Sequence, residues 1–226
     1  MKTVEFKLGA GAKKRALNVI EILGKDMKPR PPTARDPFMV LVATVLSQNT
    51  NWRNTDRAFE NFKTRFRNSA QLANSDIRTL ERLIRPAGLY KAKARNLRAA
   101  ACMIQEKYNG DLRKVLKKPP AEARAELMEL PGTGPKTADC VLLFAGGRKV
   151  LPVDVHIART AKRLGLSPLK GDRERVKRDL ESLIPPSKRW VGHLLLIELG
   201  RKYCRPTNPA CGECTVKKFC PRIGLD

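Results

Sequence analysis

Apolar residues recur along this chain at the three- and four-residue spacing of helices, and no segment shows the strict alternation of an exposed strand. Leu17, Ile20 and Leu23 recur every third position in a segment from Lys14 to Leu23, which Gly24 follows. The proline-rich stretch from Lys28 to Pro37 is a break. Asp36 followed by Pro37 has the form of an N-cap ahead of a first-turn proline. The helix it opens carries Phe38, Leu41, Val42, Val45 and Leu46, is apolar almost all round, and should therefore be central in its domain. Amphipathic helices are expected from Asn54 to Phe66, from Asp76 to Arg85, from Lys91 to Tyr108 with Leu97, Ala101 and Ile104 inward, and from Ala121 to Leu130. Further helices are expected from Val155 to Leu164, Arg173 to Leu183 and Trp190 to Leu199. The fold class is all-α, with a division of the chain near Leu151 to Asp154. Cys102 and Cys140 have apolar neighbours and read as buried thiols; Trp52, Tyr90 and Trp190 read as core or interface aromatics.

Charge changes the picture. The 226 residues hold 46 Lys and Arg against 22 Asp and Glu, a net charge of +24. That excess repels itself in a compact state, and a polyanionic partner compensates it: nucleic acid first, an anionic membrane surface second. No apolar run approaches the ~20 residues of a membrane span, and the N-terminal segment lacks an apolar signal core. A cytoplasmic, nucleoid-associated protein is the expectation. In such a reducing compartment Cys204, Cys211, Cys214 and Cys220, spaced C-x6-C-x2-C-x5-C, point to ligation more than to disulfides. Four thiolates suit tetrahedral zinc and an iron–sulfur cluster alike, and the spacing alone does not separate them. His156 and His193, the only histidines, read as packing or locally hydrogen-bonded groups.

The most informative stretch is Leu130-Pro131-Gly132-Thr133-Gly134-Pro135-Lys136-Thr137-Ala138. A helix ending at Leu130, two glycines one residue apart and a helix starting near Pro135 make a tight helix-hairpin-helix. Gly132 and Gly134 permit close approach, and amides at the turn and the next helix start can hold a backbone phosphate. Lys136 lies at a helix start, where partial positive charge already resides, and reads either as an amine suited to nucleophilic attack or as one more solvated phosphate-binding lysine. Asp154 precedes a helical run and reads as its N-cap.

LPGTGPKTADCVLLFAGG followed by LPVDVHIART closely resembles the helix-hairpin-helix, Gly-Pro-Asp-type DNA glycosylases, the endonuclease III branch in particular. LSQNTNWRN near residue 47, GLYKAKARNL near 90 and HLLLIELGRKYC ahead of the cysteines extend the likeness over roughly residues 36–220. The resemblance implies a catalytic lysine after the hairpin, matched by Lys136, and a catalytic aspartate 18 residues on, matched by Asp154. It also implies a [4Fe–4S] cluster on the four cysteines, phosphate contacts from Gly132, Thr133, Gly134, Lys217 and Lys218, and a polar side chain filling the hole left by a flipped base. Asn49 stands where endonuclease III carries glutamine, with Gln48 just before it, so both are candidates. The glutamate that the family often carries before the hairpin is Met128 here, with Glu126 and Glu129 nearby.

The implied architecture is a two-domain glycosylase fold with DNA held in the cleft. Residues 36–152 are expected to form a six-helix barrel domain containing the hairpin. Residues 1–35 plus 153–226 form the other domain, with the iron–sulfur loop at 204–220. The implied activity is a base excision repair glycosylase with abasic-site lyase activity on oxidised pyrimidines such as thymine glycol. The expected partner is double-stranded DNA with a damaged or abasic site, bound by a monomer of prokaryotic or archaeal type. Two alternatives stay open: the same fold acting on mismatched uracil or thymine or on alkylated or oxidised purines, and a non-catalytic DNA-binding or damage-sensing protein.

Overall fold

The computed structural model describes residue 9, residues 11–32 and residues 34–225. The first eight residues, part of the segment without a signal core, lie outside the described ones. Among the described residues there are α-helices and short 3-10 turns and no strand. In chain order the helices are α1 (Ala12–Asp26), α2 (Pro37–Leu46), α3 (Trp52–Arg65), α4 (Ser69–Ala73), α5 (Ile77–Ile84), α6 (Tyr90–Tyr108), α7 (Arg113–Leu116), α8 (Pro120–Glu129), α9 (Pro135–Phe144), α10 (Val155–Arg163), α11 (Arg173–Leu183) and α12 (Arg189–Lys202). The chain divides into two compact units, residues 32–148 and residues 1–31 with 149–226.

In the contiguous unit, helix starts are written in the sequence. Asp36, Asn51, Asn68 and Asp76 each accept a hydrogen bond from the amide three residues on, at 3.1, 3.0, 2.9 and 2.8 Å. Each such cap satisfies an amide the helix itself cannot, and stabilises by about 1 kcal/mol. Eight of the ten residues of α2 are buried, and it packs on α3, α6 and α9. A helix apolar all round is covered from several sides, and this one occupies the middle of its unit. Phe62 lies between Phe38 and Phe66, with ring centroids 6.5 and 5.1 Å away. Burying each such side chain contributes roughly 1.5–3 kcal/mol.

The short helices α4 and α7 carry too few residues for a periodic signal, and the sequence pattern predicts no helix there. Cys102 is exposed rather than buried: the buried stripe of α6 runs through Lys93, Ala94, Leu97, Ala100, Ala101, Ile104 and Tyr108, and Cys102 lies off that stripe. Trp52 and Trp190 are not core aromatics. Each sits in the first turn of a helix, where fewer neighbours cover a side chain, and they are 52% and 41% exposed. Cys140 is buried as expected.

The discontinuous unit has a core built from α1, α10, α11 and α12, with Leu23, Leu151, Ile157, Val176, Leu180 and Leu195 fully enclosed. Arg15 of α1 donates to the carbonyl of Leu164 at 3.0 Å and ties the first helix to the end of α10. A Cβ at Gly200 would stand 2.8 Å from that of His156, so glycine is what lets α12 approach α10. His193 is buried, with Nδ1 2.8 Å from the carbonyl of Pro152, which holds the segment leading into α10.

Candidate functional site

The hairpin is a tight two-glycine turn between α8 and α9. Gly132 has φ +80, a conformation that favours glycine, and a Cβ there would lie 2.9 Å from that of Asn96. Gly134 is the N-cap of α9, and no side chain caps that helix. Pro135 has no amide to satisfy, so the exposed approach to the first turn is left with backbone donors and the positive end of the helix dipole. Thr133, between the two glycines, is buried and its hydroxyl has no hydrogen-bond partner. Lys136 stands half-buried at the second position of α9.

The end of α2 is joined to this hairpin. The side-chain amide of Gln48 donates to the carbonyl of Gly132 at 3.1 Å and to the hydroxyl of Thr137 at 3.2 Å. Gln48 is thus engaged with the protein, whereas Asn49 is exposed and takes a left-handed backbone, φ 52. Sequence reading keeps both as candidates; in the structure Gln48 contacts the hairpin and Asn49 sits on an exposed, left-handed turn.

In the other unit, Asp154 is the N-cap of α10, its carboxylate accepting from the amide of Ile157 at 2.9 Å. One oxygen is committed to the cap and the carboxylate remains partly exposed. Further along α10, Arg159 donates to the carbonyls of Cys204 and Gly200 at 2.7 and 3.0 Å and lies 3.1 Å from Nδ1 of His156. Burial holds His156 below the usual histidine range, the Asp154 carboxylate opposing that shift in part.

Cys204, Cys211, Cys214 and Cys220 line one small cavity together with Arg163, Leu199, Tyr203 and Val216. Arg163 donates to Sγ of Cys204 at 3.5 Å and accepts at its carbonyl from Sγ of Cys220 at 3.5 Å. Burial pushes the Cys214 and Cys220 thiols up, and neighbouring cysteines add to the rise. The Thr215 hydroxyl, next to Cys214, is buried without a partner. Among the described residues no group of three or more His, Cys, Asp or Glu side chains is arranged to hold a metal ion. Lys217 folds back to donate to the carbonyl of Gly212 at 2.7 Å, while Lys218 lines a groove with Lys14 and Arg15. Among the described residues no helix is long and apolar enough to cross a membrane.

Residues 42–186 match the model of the HhH-GPD superfamily base excision DNA repair protein. The chain belongs to this superfamily. It is 34% identical to endonuclease III of Thermotoga maritima over 85% of this chain and 86% of that one. With endonuclease III of Synechocystis it shares 32% identity over 94% of each. Its fold is similar to that of an endonuclease III solved as a trapped covalent intermediate with DNA, at a TM-score of 0.81, 30% identity, and coverage of 93% of this chain and 96% of that one. The protein is therefore an all-α DNA glycosylase of base excision repair, and DNA is its partner.

Ahead of the hairpin, Met128 is 39% exposed. Both neighbouring glutamates are engaged: Glu129 pairs with Lys107 at 2.6 Å, and Glu126 accepts from Lys118 and, at 3.1 Å, from the Tyr108 hydroxyl. Burial and that carboxylate push the Tyr108 phenol up to about 12.

Two features of the glycosylase escaped sequence reading. Lys93 is buried, and its amine reaches three carbonyls at the end of α2 and before α6. The signal was its place four residues ahead of Leu97 on the inward stripe. Leu89 is 63% exposed with a left-handed backbone, φ 47, directly after Gly88. An apolar residue held so costs roughly 1–2 kcal/mol.

Proposed function

We propose that this DNA glycosylase is bifunctional, removing oxidised pyrimidines such as thymine glycol from duplex DNA and then cutting the strand at the abasic site. The hairpin amides of Gly132, Thr133 and Gly134 hold a backbone phosphate, and the damaged nucleotide is turned out of the stack. Asn49, with Gln48 behind it, fills the space the base leaves. The Lys136 amine attacks C1′ of the sugar; the base departs with the C–N bond electrons and takes up a proton. Asp154 stabilises the positive charge that develops at the sugar and accepts the proton released by the lysine nitrogen. Loss of the ring C–O bond gives a Schiff base between Lys136 and C1′. That cation acidifies the C2′ proton, so β-elimination expels the 3′ phosphate oxygen, and water then frees Lys136.

The observation that carries this reading is the position of Lys136: one residue inside an uncapped helix that leaves a two-glycine hairpin, with Asp154 capping α10 in the spacing the family uses. Likeness to an endonuclease III captured covalently on DNA supports it.

The donor chemistry of the four cysteines fits an iron–sulfur group: they line one cavity, and a buried orphan hydroxyl and an arginine stand beside them. Cys204, Cys211, Cys214 and Cys220 would hold a [4Fe–4S] cluster, which when bound cross-links this loop and shapes its basic rim around Lys217 and Lys218.

Borohydride reduction with an abasic-site duplex tests the lyase: covalent trapping is expected, and its absence refutes the Schiff base. A panel of lesion duplexes, scored separately for base release and strand cleavage, tests the substrate. Met128, exposed and apolar where the family often has an acid, favours one second reading: the same chemistry on mismatched uracil or thymine or on altered purines. Faster release from those duplexes than from thymine glycol would establish it.

A further inference from the structure

Lys93 is 4% exposed, and its amine donates to the carbonyls of Leu46 at 2.8 Å, Gln48 at 2.6 Å and Ala87 at 2.9 Å. An ammonium has three donors, and all three are used. Leu46 and Gln48 mark the end of α2, where a helix leaves carbonyls unsatisfied and favours a cation. Ala87 ends the 3-10 turn Arg85–Ala87, which leads through Gly88 and Leu89 into α6. A buried cation is a poor device for stability alone, since well-packed apolar residues are often at least as stabilising. Its geometry bears on position instead. The carbonyl of Gln48 is held by Lys93, and the side-chain amide of the same residue is held by Gly132 and Thr137. Gln48 is fixed at both ends, and the exposed, left-handed Asn49 follows it directly.

We propose that Lys93 is a positioning residue of the glycosylase, fixing the Gln48–Asn49 turn against the hairpin so that Asn49 enters the duplex at a set place relative to Lys136. The inference rests on the functional reading of Asn49 and Lys136 given above. Lys93 touches neither DNA nor the reacting sugar in this scheme; it acts through the turn. Loss of the amine leaves three carbonyls without their donor and frees the turn, while the hairpin amides that hold phosphate keep their own scaffold.

The experiment compares full-length wild type with Lys93→Met, Lys93→Gln and Lys93→Arg. Hydrogen exchange of amides 47–51 is expected to quicken at least about tenfold in Lys93→Met, with the buried amides of Val141 and Leu142 unchanged. Single-turnover base release from a lesion duplex is expected to fall about 10- to 100-fold, the cost of a reacting group misplaced by about an ångström. Affinity for undamaged duplex should stay within about threefold, because phosphate contacts carry it. Lys93→Arg, which keeps a cationic donor, is expected to recover most of the rate. Unchanged exchange at 47–51 in the folded variant overturns the proposal, as does an equal loss of base release and of undamaged-duplex affinity. Should Lys93→Met fail to fold, Lys93→Gln is judged by the same readouts. A wild type that releases no base and is not trapped on abasic-site DNA refutes the functional reading; the exchange comparison then decides alone whether Lys93 holds the turn.

Discussion

Arg124 and Asp139 grip one another across the hairpin's two helices, Nε to Oδ1 at 2.9 Å and Nη2 to Oδ2 at 3.3 Å. Asp139 lies one helical turn beyond Lys136 and is 1% exposed. The pair ties α8 to α9 and sets the angle at which the hairpin presents its amides. Arg124→Ala should destabilise the protein by about 2 kcal/mol, less than the ~3–5 kcal/mol of a fully buried pair because Arg124 reaches solvent. Denaturant unfolding measures this. Asp139→Asn, which leaves no buried charge, should cost less than Arg124→Ala; a larger cost would refute the account.

Asp154 is assigned two duties, and substitution separates them. Asn is as good an N-cap as Asp, so Asp154→Asn should leave the unfolding free energy within about 0.5 kcal/mol of wild type while base release slows sharply. Asp154→Ala should lose the rate and about 1 kcal/mol besides. Equal rates for Asp154→Asn and wild type would remove the carboxylate from the chemistry. Lys136→Ala should abolish covalent trapping while leaving duplex binding largely intact, read by trapping gels beside anisotropy.

Iron content tests the cysteine loop. Purified protein should carry about four irons per chain with visible absorption, and Cys220→Ser should lose both. Zinc without iron would overturn the cluster assignment. Because the cavity wall includes Leu199, Tyr203 and Val216 of the surrounding core, loss of the group should also lower the unfolding temperature.

Burial pulls the Lys93 amine down to about 8. Its folded value lies below the ~10.4 of an exposed lysine, so the folded protein binds this proton less readily than the unfolded chain. The destabilisation from the buried charge is fully present below pH 8 and is relieved as pH rises toward the unfolded value. Stability of wild type relative to Lys93→Met should therefore increase from pH 8 to pH 10, as paired denaturation curves at the two ends would show. A flat or falling difference would mean that the three carbonyl contacts keep the amine charged throughout.

Much of the fold was legible in the sequence because caps and apolar stripes are local signals. Asp36 with Pro37 announced α2, and the unbroken apolarity of Phe38 to Leu46 announced its central place. The turn at Gly132 and Gly134 was legible because a tight turn needs specific residues at specific steps. Lys93 was not: a lysine reads as a surface residue, and only three carbonyls from two other segments make a home for it. The partition between Gln48 and Asn49 was hidden for a like reason, since it depends on a backbone reversal and a partner 84 residues away. Cys102 misled because its apolar neighbours in sequence lie on another face of the helix.

The division of the chain bears on how it is made. The unit over residues 32–148 is contiguous and can close its core while the rest is still being synthesised. Helix α1 leaves the ribosome first, yet its buried face is covered by α11 and α12, and Arg15 finds its acceptor 149 residues later. Until the last third of the polypeptide arrives, the apolar side of α1 has no native surface to cover it, and closing so long a loop delays its docking. A nascent chain stalled before α12 therefore presents Val19, Ile20 and Leu23 to chaperones while the contiguous unit is already closed.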